Sequence, residues 1–142
     1  MMISTRGRYA VRIMVDIAMN QEKGLVTMKD ISRRQQISKK YGDQIGLILN
    51  QAGFLVTTRG RQGGYHLADN PDKITILQIL RCVEGPVTSV QCLESEHNPC
   101  ERQDYCMTLP LWIGLNKVIS DYLGNMTLQS LIDNAPPQPE LN

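Results

Sequence analysis

Apolar side chains recur every three or four residues in three stretches of the first half of the chain, and this spacing predicts three amphipathic helices. The predicted helices cover Thr5–Asn20, Met28–Gln35 and Lys39–Gln51. Thr27 and Ser38 precede the second and third helices, and their side chains commonly cap helix N-termini. Because only a tight turn separates these two short helices, the pattern predicts a helix-turn-helix.

A two-stranded β hairpin is predicted directly after the third helix. Residues 54–58 and 65–67 have the composition of strands, and the glycine-rich segment 59–64 between them forms the turn. Since an isolated hairpin is only marginally stable, this one must pack on the helices. Together with the preceding helices it predicts a winged helix-turn-helix.

The second half of the chain predicts further helices around an irregular segment. Thr75 caps a helix that ends near Glu84, and residues 87–107 show no periodicity. Thr108 is expected to cap a long helix, and Thr127 a final short one. The long helix has a broad apolar face formed by Leu111, Trp112, Leu115, Val118, Ile119 and Tyr122.

That apolar face is wider than one small domain covers, with Trp112 and Tyr122 as its largest side chains. The face is expected to form the interface of a homodimer, to pack back onto the first helix, or to do both in part. The expected fold class is mainly α with a small β wing. It consists of a winged helix-turn-helix plus a long C-terminal dimerisation helix.

Composition limits the class of protein. The chain has 142 residues, of which 42% are hydrophobic, enough for one globular domain. No apolar run approaches the ~18–20 residues of a membrane span, and the N-terminus lacks the apolar stretch of a signal peptide. We therefore expect a cytoplasmic protein without a membrane partner. The absence of a P-loop, a dinucleotide fingerprint and a nucleophile elbow favours a non-enzyme without a small-molecule substrate.

The net charge of +1 conceals a division along the chain. Residues 1–81 hold 13 basic and 6 acidic residues, a balance of +7, whereas residues 82–142 hold 2 basic and 8 acidic residues, a balance of −6. A basic half indicates a polyanionic partner. Combined with a winged helix-turn-helix, it predicts binding to double-stranded DNA, whose major groove admits one α-helix.

The third helix and the wing carry the side chains suited to reading a duplex. Polar and basic residues occupy the first turns of the helix, and two arginines flank the glycine at the wing tip. Arg6, Arg33 and Arg34 would add phosphate contacts. A solvated basic face is the alternative interpretation. The predicted DNA-binding residues are Arg8, Thr27, Ser38, Lys39, Lys40, Tyr41, Asp43, Gln44, Arg59, Gly60 and Arg61.

Three cysteines, Cys92, Cys100 and Cys106, lie close together in the irregular segment. Thiolates are the usual ligands of iron–sulfur clusters and structural zinc, but the spacing lacks the C-x2-C pair of a zinc ribbon. Three free thiols in a loop are an equal alternative. Cys82 is expected to be a half-buried residue of the fourth helix. The candidates for a fourth ligand are His97, Glu94, Glu96, Glu101 and Asp104.

Three features resemble the IscR/NsrR/CymR family of bacterial winged-helix regulators, over residues 2–134. They are Ile3-Ser4-Thr5-Arg6-Gly7-Arg8-Tyr9-Ala10-Val11, the wing motif Arg59-Gly60-x-x-Gly63-Gly64-Tyr65, and the cysteine loop before a long helix. The iron–sulfur biogenesis regulators are the most similar type. The resemblance implies a homodimer, operator binding and, as in many members, a [2Fe-2S] cluster, with ligands that map onto Cys92, Cys100 and Cys106.

The chain differs from that pattern in the first cysteine spacing, which is longer, and at two further positions. Leu109 stands where the cluster regulators have a histidine, and Arg8 stands where nitric-oxide-sensing members have an acid. The fourth ligand therefore stays open among the candidates above, an exogenous thiol and water.

The leading hypothesis is a homodimeric transcriptional repressor on a near-palindromic operator, controlled by a [2Fe-2S] cluster that senses iron–sulfur or redox status. One alternative replaces the cluster by thiol oxidation or a partner protein. Another, of a different class, is an iron–sulfur electron-transfer component. The expected boundaries are 1–85 for the DNA-binding domain, 86–107 for the cysteine-bearing sensor loop, 108–134 for the dimerisation helix and short terminal helix, and 135–142 for a flexible tail.

Overall fold

In the computed structural model, which describes residues 2–140, helix α1 (Thr5–Asn20) is the central element. Ser4 caps it, because its Oγ accepts a hydrogen bond from the Gly7 amide at 3.1 Å. Its apolar residues Ala10, Ile13, Met14 and Ile17 are fully buried. The other helices and strands are α2 (Met28–Gln35), α3 (Lys39–Gln51), β1 (Leu55–Thr58), β2 (Gly64–Leu67), α4 (Ile76–Glu84), α5 (Leu109–Asn125) and α6 (Leu128–Asp133).

Helices α2 and α3 form the predicted helix-turn-helix. Thr27 Oγ1 accepts a hydrogen bond from the Asp30 amide at 3.1 Å, and Ser38 Oγ accepts one from the Tyr41 amide at 3.2 Å. Gln36 ends α2 in the left-handed conformation, with φ 55°. This conformation is uncommon for a residue other than glycine, and the chain turns there so that α3 packs against both α1 and α2.

Gly42 and Gly46 lie on the buried side of α3 and allow close packing. A β-carbon on Gly42 would lie 2.6 Å from Met28 Sδ, and one on Gly46 would lie 2.9 Å from the Tyr65 hydroxyl oxygen. Each glycine costs about 1 kcal/mol of helix propensity relative to alanine. The two glycines therefore serve the contacts of α3 with α2 and the wing.

The wing is a two-stranded antiparallel sheet in which Leu55 pairs with Leu67 and Thr58 with Gly64. Val26, in the segment before α2, extends it by one bridge. The Val26 amide donates to the Tyr65 carbonyl at 3.0 Å, and the Tyr65 amide donates to the Val26 carbonyl at 2.8 Å. This bridge and the buried leucines fix the hairpin to the helices, as its marginal stability requires.

The short C-terminal helix returns to the core that surrounds α1. The Ile76 amide donates to the Met126 carbonyl at 2.9 Å, and the Leu128 amide donates to the Ile74 carbonyl at 3.0 Å. These bonds join the start of α4 to the start of α6. Leu128 is fully buried, so α6 shares one hydrophobic core with α1 and α4.

Helix α5 packs against α4 and leaves a wide apolar surface uncovered. No residue of α5 is buried, although Ile119 and Leu123 pack partly against the core. The rest of the chain therefore leaves much of this surface open, and the structure shows no extensive packing of it onto α1. Four large side chains on one side of the helix, which we call the α5 apolar face, are 40–64% exposed: Leu111, Leu115, Val118 and Tyr122.

The expectation that Thr108 caps α5 is wrong. Thr108 has helical backbone angles, and its side chain caps no amide of the helix. Its hydroxyl oxygen lies instead 3.5 Å from Cys106 Sγ, which places the start of α5 beside the last cysteine. Among the helices of residues 2–140, none has both the length and the apolar composition to cross a membrane.

Candidate DNA interface and cysteine loop

The outward side of α3 presents charged and polar side chains to solvent. Lys40 and Gln44 are exposed one turn apart. Lys39 Nζ donates to Asp43 Oδ2 at 2.9 Å, and this hydrogen bond raises the pKa of Lys39. Tyr41 is half-buried, and its ring packs edge-to-face on Tyr9 with the centroids 5.7 Å apart. The lysines, Asp43 and Gln44 face solvent, whereas Tyr41 packs toward α1.

Leu47 shares the outward side of α3 and was not among the residues predicted from the sequence. Its side chain is 55% exposed, and Gln51 beyond it is exposed as well. We call Lys40, Gln44, Leu47 and Gln51 the outer face of α3, because their spacing of three or four residues aligns them. Along the sequence Leu47 resembles any other apolar residue of an amphipathic helix. Its offset from the buried stripe is the only signal that could have identified it.

The wing tip carries two exposed arginines, Arg59 and Arg61. Gly60 between them has φ +110°, a conformation that L side chains rarely adopt, so this turn requires glycine. Asn50, in α3, donates through Nδ2 to the Leu55 carbonyl at 3.0 Å and to Thr57 Oγ1 at 2.8 Å. These two bonds fix β1 relative to α3, so that the helix and the wing can meet one duplex together.

Three of the other arginines of the basic half are free to contact a partner. Arg6 and Arg8 are exposed in the first turns of α1, and the guanidinium of Arg8 donates to Thr5 Oγ1 at 3.1 Å. Arg33 is exposed in α2, with a loose 3.7 Å contact to Asp30. Contacts of this kind between exposed side chains contribute little to stability, so these side chains can reorient toward phosphate.

Asp16 holds the end of α2 from inside the fold. It is 2% exposed and accepts hydrogen bonds from Arg34 Nε at 3.0 Å, from a terminal Arg34 nitrogen at 2.7 Å and from Gln35 Nε2 at 2.9 Å. The bond to Asp16 also raises the pKa of Arg34. The predicted phosphate contact of Arg34 is therefore wrong, because its guanidinium neutralises a buried carboxylate.

Arg12 adds a second support for the same turn. Its guanidinium donates to the main-chain carbonyl of Gln35 and lies over the ring of Tyr9, 5.2 Å from the centroid. With Asp16 it forms a two-residue brace on α1 that sets where α2 ends and α3 begins. Neither residue was predicted from the sequence, although an acid beside an apolar stripe is a signal for a buried ion pair.

The cysteine loop, residues 86–107, is attached to both halves of the fold. Glu84, the last residue of α4, accepts hydrogen bonds from the Ser4 amide at 2.6 Å and from the Ser4 hydroxyl. Ser89 donates through its amide at 2.7 Å and through its hydroxyl at 2.6 Å to Asn116 Oδ1 of α5. The end of α4, directly before the loop, is thereby joined to the N-terminus of α1, and the loop itself is joined to the long helix.

The three cysteines of the loop are half-buried and free. Within residues 2–140, no three Cys, His, Asp or Glu side chains come together closely enough to hold one metal ion. The candidate fourth ligands His97, Glu94, Glu96, Glu101 and Asp104 are all exposed. The loop thus carries donors of the predicted kind without bringing them to one point, and the ligand set stays a prediction.

The thiols differ in their surroundings. The hydrogen bond with the Thr108 side chain lowers the pKa of Cys106, which favours its thiolate. Burial raises the pKa of Cys82, which packs half-buried against the core from α4, as predicted. Cys82 therefore contributes to the packing of α4 against the core.

Comparison with known proteins identifies the family of this chain. The model of the Rrf2 family, described as iron-dependent transcriptional regulator, matches residues 3–134. The chain belongs to the Rrf2 family. The protein NMA1593 of Neisseria meningitidis serogroup A is 44% identical over 133 residues, which cover 94% of this chain and 88% of the relative. The regulator IscR of Pectobacterium atrosepticum is 37% identical over 134 residues, which cover 94% and 80%.

The solved structure of CymR, the global cysteine regulator of B. subtilis, has the same fold as this Rrf2 chain. It matches with a TM-score of 0.78 and 34% identity, over 96% of this chain and 99% of CymR. The predicted winged-helix fold, the resemblance to IscR and CymR, and the class of DNA-binding transcriptional regulator are confirmed. An Rrf2 regulator is not an enzyme, and the interpretation as an electron-transfer component is wrong.

Proposed function

We propose that this Rrf2 chain works in the cytoplasm as a homodimeric repressor that binds a near-palindromic operator and responds to a [2Fe-2S] cluster. The observation that supports DNA binding is the pairing of an exposed α3 face with an arginine-tipped wing, joined by Asn50. In such a complex α3 enters the major groove. Arg59 and Arg61 contact the backbone or the adjacent minor groove.

The proposed base contacts follow from side-chain chemistry. Lys40 would donate to guanine or to phosphate, and Gln44 would pair with adenine. Asp43 would accept from the amino group of cytosine, with Lys39 beside it as a donor for the neighbouring phosphate. All four lie in the first two turns of α3, where a recognition helix reads base edges.

The proposed phosphate contacts come from the helix starts and from α1. Thr27 and Ser38 cap α2 and α3, and the N-terminal amides of such helices favour a phosphate. Arg8 supplies a charged contact from the first turns of α1. Tyr41 would orient α3 through its packing on Tyr9 rather than contact a base.

The α5 apolar face is proposed as the interface with a second copy of the chain. An exposed apolar surface of this width on a helix fits a self-complementary contact about a two-fold axis. A symmetric dimer places two α3 helices against two half-sites, which is why the operator is proposed to be near-palindromic.

Cys92, Cys100 and Cys106 are proposed to hold the cluster, with one of the five candidate side chains or an outside ligand as the fourth. Thiolates are the donors that iron–sulfur clusters take, so the donor chemistry of the loop fits. A bound cluster would supply a centre that is sensitive to oxidation and to iron supply. Because the thiols do not lie at one point, the loop must close around any shared ligand.

Two contacts connect the cysteine loop to DNA binding. The Glu84–Ser4 bonds join the end of α4, two residues before the loop, to the N-terminus of α1, which carries Arg8, and the Ser89–Asn116 bonds join the loop itself to the proposed dimer helix. A change in the loop would therefore alter both a phosphate contact and the separation of the two α3 helices. This coupling requires that DNA binds the two states of the cysteine loop, with and without the cluster, with different affinity.

A second candidate keeps the DNA binding and replaces the cluster by thiol oxidation. It is favoured by the free, half-buried state of the three loop cysteines and by their separate positions. Two thiols would lose two protons and two electrons to peroxide, giving one disulfide and two molecules of water. The disulfide would constrain the same loop.

Removing the arginines of the wing tip tests DNA binding. The double variant Arg59→Ala/Arg61→Ala is expected to bind a selected duplex at least tenfold more weakly. If all four arginines of a dimer contact phosphate, the slope of log affinity against log salt falls by about 3–4. Fluorescence anisotropy across a salt series measures both. Lys73→Ala/Arg81→Ala removes the same charge from exposed sites outside α3, the wing and the cysteine loop, and it should keep the slope. An equal loss in both variants would contradict the interface.

Cysteine variants separate the two sensing candidates. Anaerobically purified wild-type protein is expected to contain iron and sulfide and to show visible charge-transfer absorption. Cys92→Ala, Cys100→Ala and Cys106→Ala should each lose them, whereas Cys82→Ala should keep them. Metal-free wild-type protein whose operator affinity changes with peroxide would favour thiol oxidation. Footprints that do not change with iron or with peroxide would exclude both sensing candidates.

A further inference from the structure

Leu47 is the largest apolar side chain that the outer face of α3 exposes. It is 55% exposed, whereas the other apolar residues of α3 are buried or half-buried: Tyr41, Ile45, Ile48 and Leu49. A single exposed leucine on a protein surface needs no explanation in itself. The position of Leu47 does need an explanation, because Gln44 and Gln51 flank it on the surface of α3 that the proposed function directs into the major groove.

A leucine in a major groove has one chemically matched partner. It can neither donate nor accept a hydrogen bond, so it cannot read the polar edges of guanine, adenine or cytosine. Thymine alone presents an apolar group there, the C5-methyl. Contact between the leucine methyl groups and this methyl removes apolar surface from water on both molecules.

We propose that Leu47 is a specificity residue that selects thymine in the operator through the C5-methyl group. This inference depends on the proposed DNA-binding function. Leu47 follows Gln44 by three residues, about 4.5 Å along the helix, which is near the ~3.4 Å rise of one base pair. The selected thymine is therefore expected within about one base pair of the position that Gln44 contacts.

The experiment removes the methyl group and nothing else. A duplex is selected from a random pool with the full-length protein, and each thymine in turn is replaced by deoxyuridine. Wild-type protein is expected to lose about fourfold in affinity at one position of a half-site, and about fifteenfold when both half-sites are changed. The Leu47→Ala variant should bind the thymine and the deoxyuridine duplexes with equal affinity.

The matched control is Leu25→Ala, which truncates another exposed leucine outside α3. It should keep the wild-type ratio between the two duplexes. The inference is overturned if wild-type protein binds every deoxyuridine duplex as well as its thymine parent, or if Leu47→Ala keeps the ratio. Failure to bind any duplex in dilute buffer would instead remove the proposed function itself.

Discussion

Asp16→Ala is expected to lower the free energy of unfolding by about 3 kcal/mol, the largest stability effect that we predict for a single side chain. Asp16 is 2% exposed, and its carboxylate accepts three hydrogen bonds from Arg34 and Gln35. Its removal leaves the Arg34 guanidinium partly buried without a counter-charge. Urea unfolding followed by circular dichroism, at a fixed protein concentration, measures the change.

The same variant should also weaken DNA binding under conditions where it is folded. The brace of Asp16 and Arg12 supports the turn before α3, so the loss of Asp16 loosens the orientation of α3, the proposed recognition helix. Asp121→Ala is the matched control, because it breaks an exposed ion pair with Lys117 at 2.6 Å. An exposed pair one helical turn apart contributes about 0.3–0.5 kcal/mol. If Asp16→Ala lowers the free energy of unfolding no more than Asp121→Ala does, then Asp16 and Arg34 do not form a stabilising ion pair.

Val118→Asp is expected to make the protein monomeric and to weaken operator binding about a hundredfold or more. Val118 is 64% exposed near the middle of the α5 apolar face, and an aspartate there would require a charge to be desolvated at the proposed interface. A monomer holds one half-site, so it loses the effective concentration that links the second. Analytical ultracentrifugation and anisotropy measure the two effects.

Lys117→Ala controls for charge in the Val118 experiment. It also changes the net charge by one negative unit, on the neighbouring residue of α5, but outside the α5 apolar face. It should remain dimeric. A Val118→Asp variant that keeps the wild-type mass and affinity would show that the copies meet elsewhere.

The sequence predicted the secondary structure closely because the signals for it are local. Thr27, Ser38 and Thr127 each accept a hydrogen bond from an amide three residues on, so each cap is visible in a few letters of sequence. The predicted cap at Thr108 is the exception. Pro110 in the first turn of α5 marks the start of the helix, while the threonine side chain lies beside Cys106 instead of capping.

The candidate DNA interface was predictable where one side chain on one element suffices. The arginines of the wing tip and the lysines at the start of α3 are exposed, as their charge and position indicate. Contacts between distant parts of the chain were not predictable. Arg34 is paired with a residue eighteen positions earlier, and the exposure of Leu47 depends on which side of α3 the core covers.

By itself, the amino-acid sequence determined the order of helices and wing, the basic half with its glycine-arginine turn, and a loop with three thiols. Each of these depends on neighbouring residues alone. The tertiary structure decided which charges are available and which are paired in the interior, why Gly42 and Gly46 stand in a helix, and that α5 leaves its apolar face open. Those properties depend on what packs against each side chain, because burial and pairing are properties of contacts between elements rather than of residues.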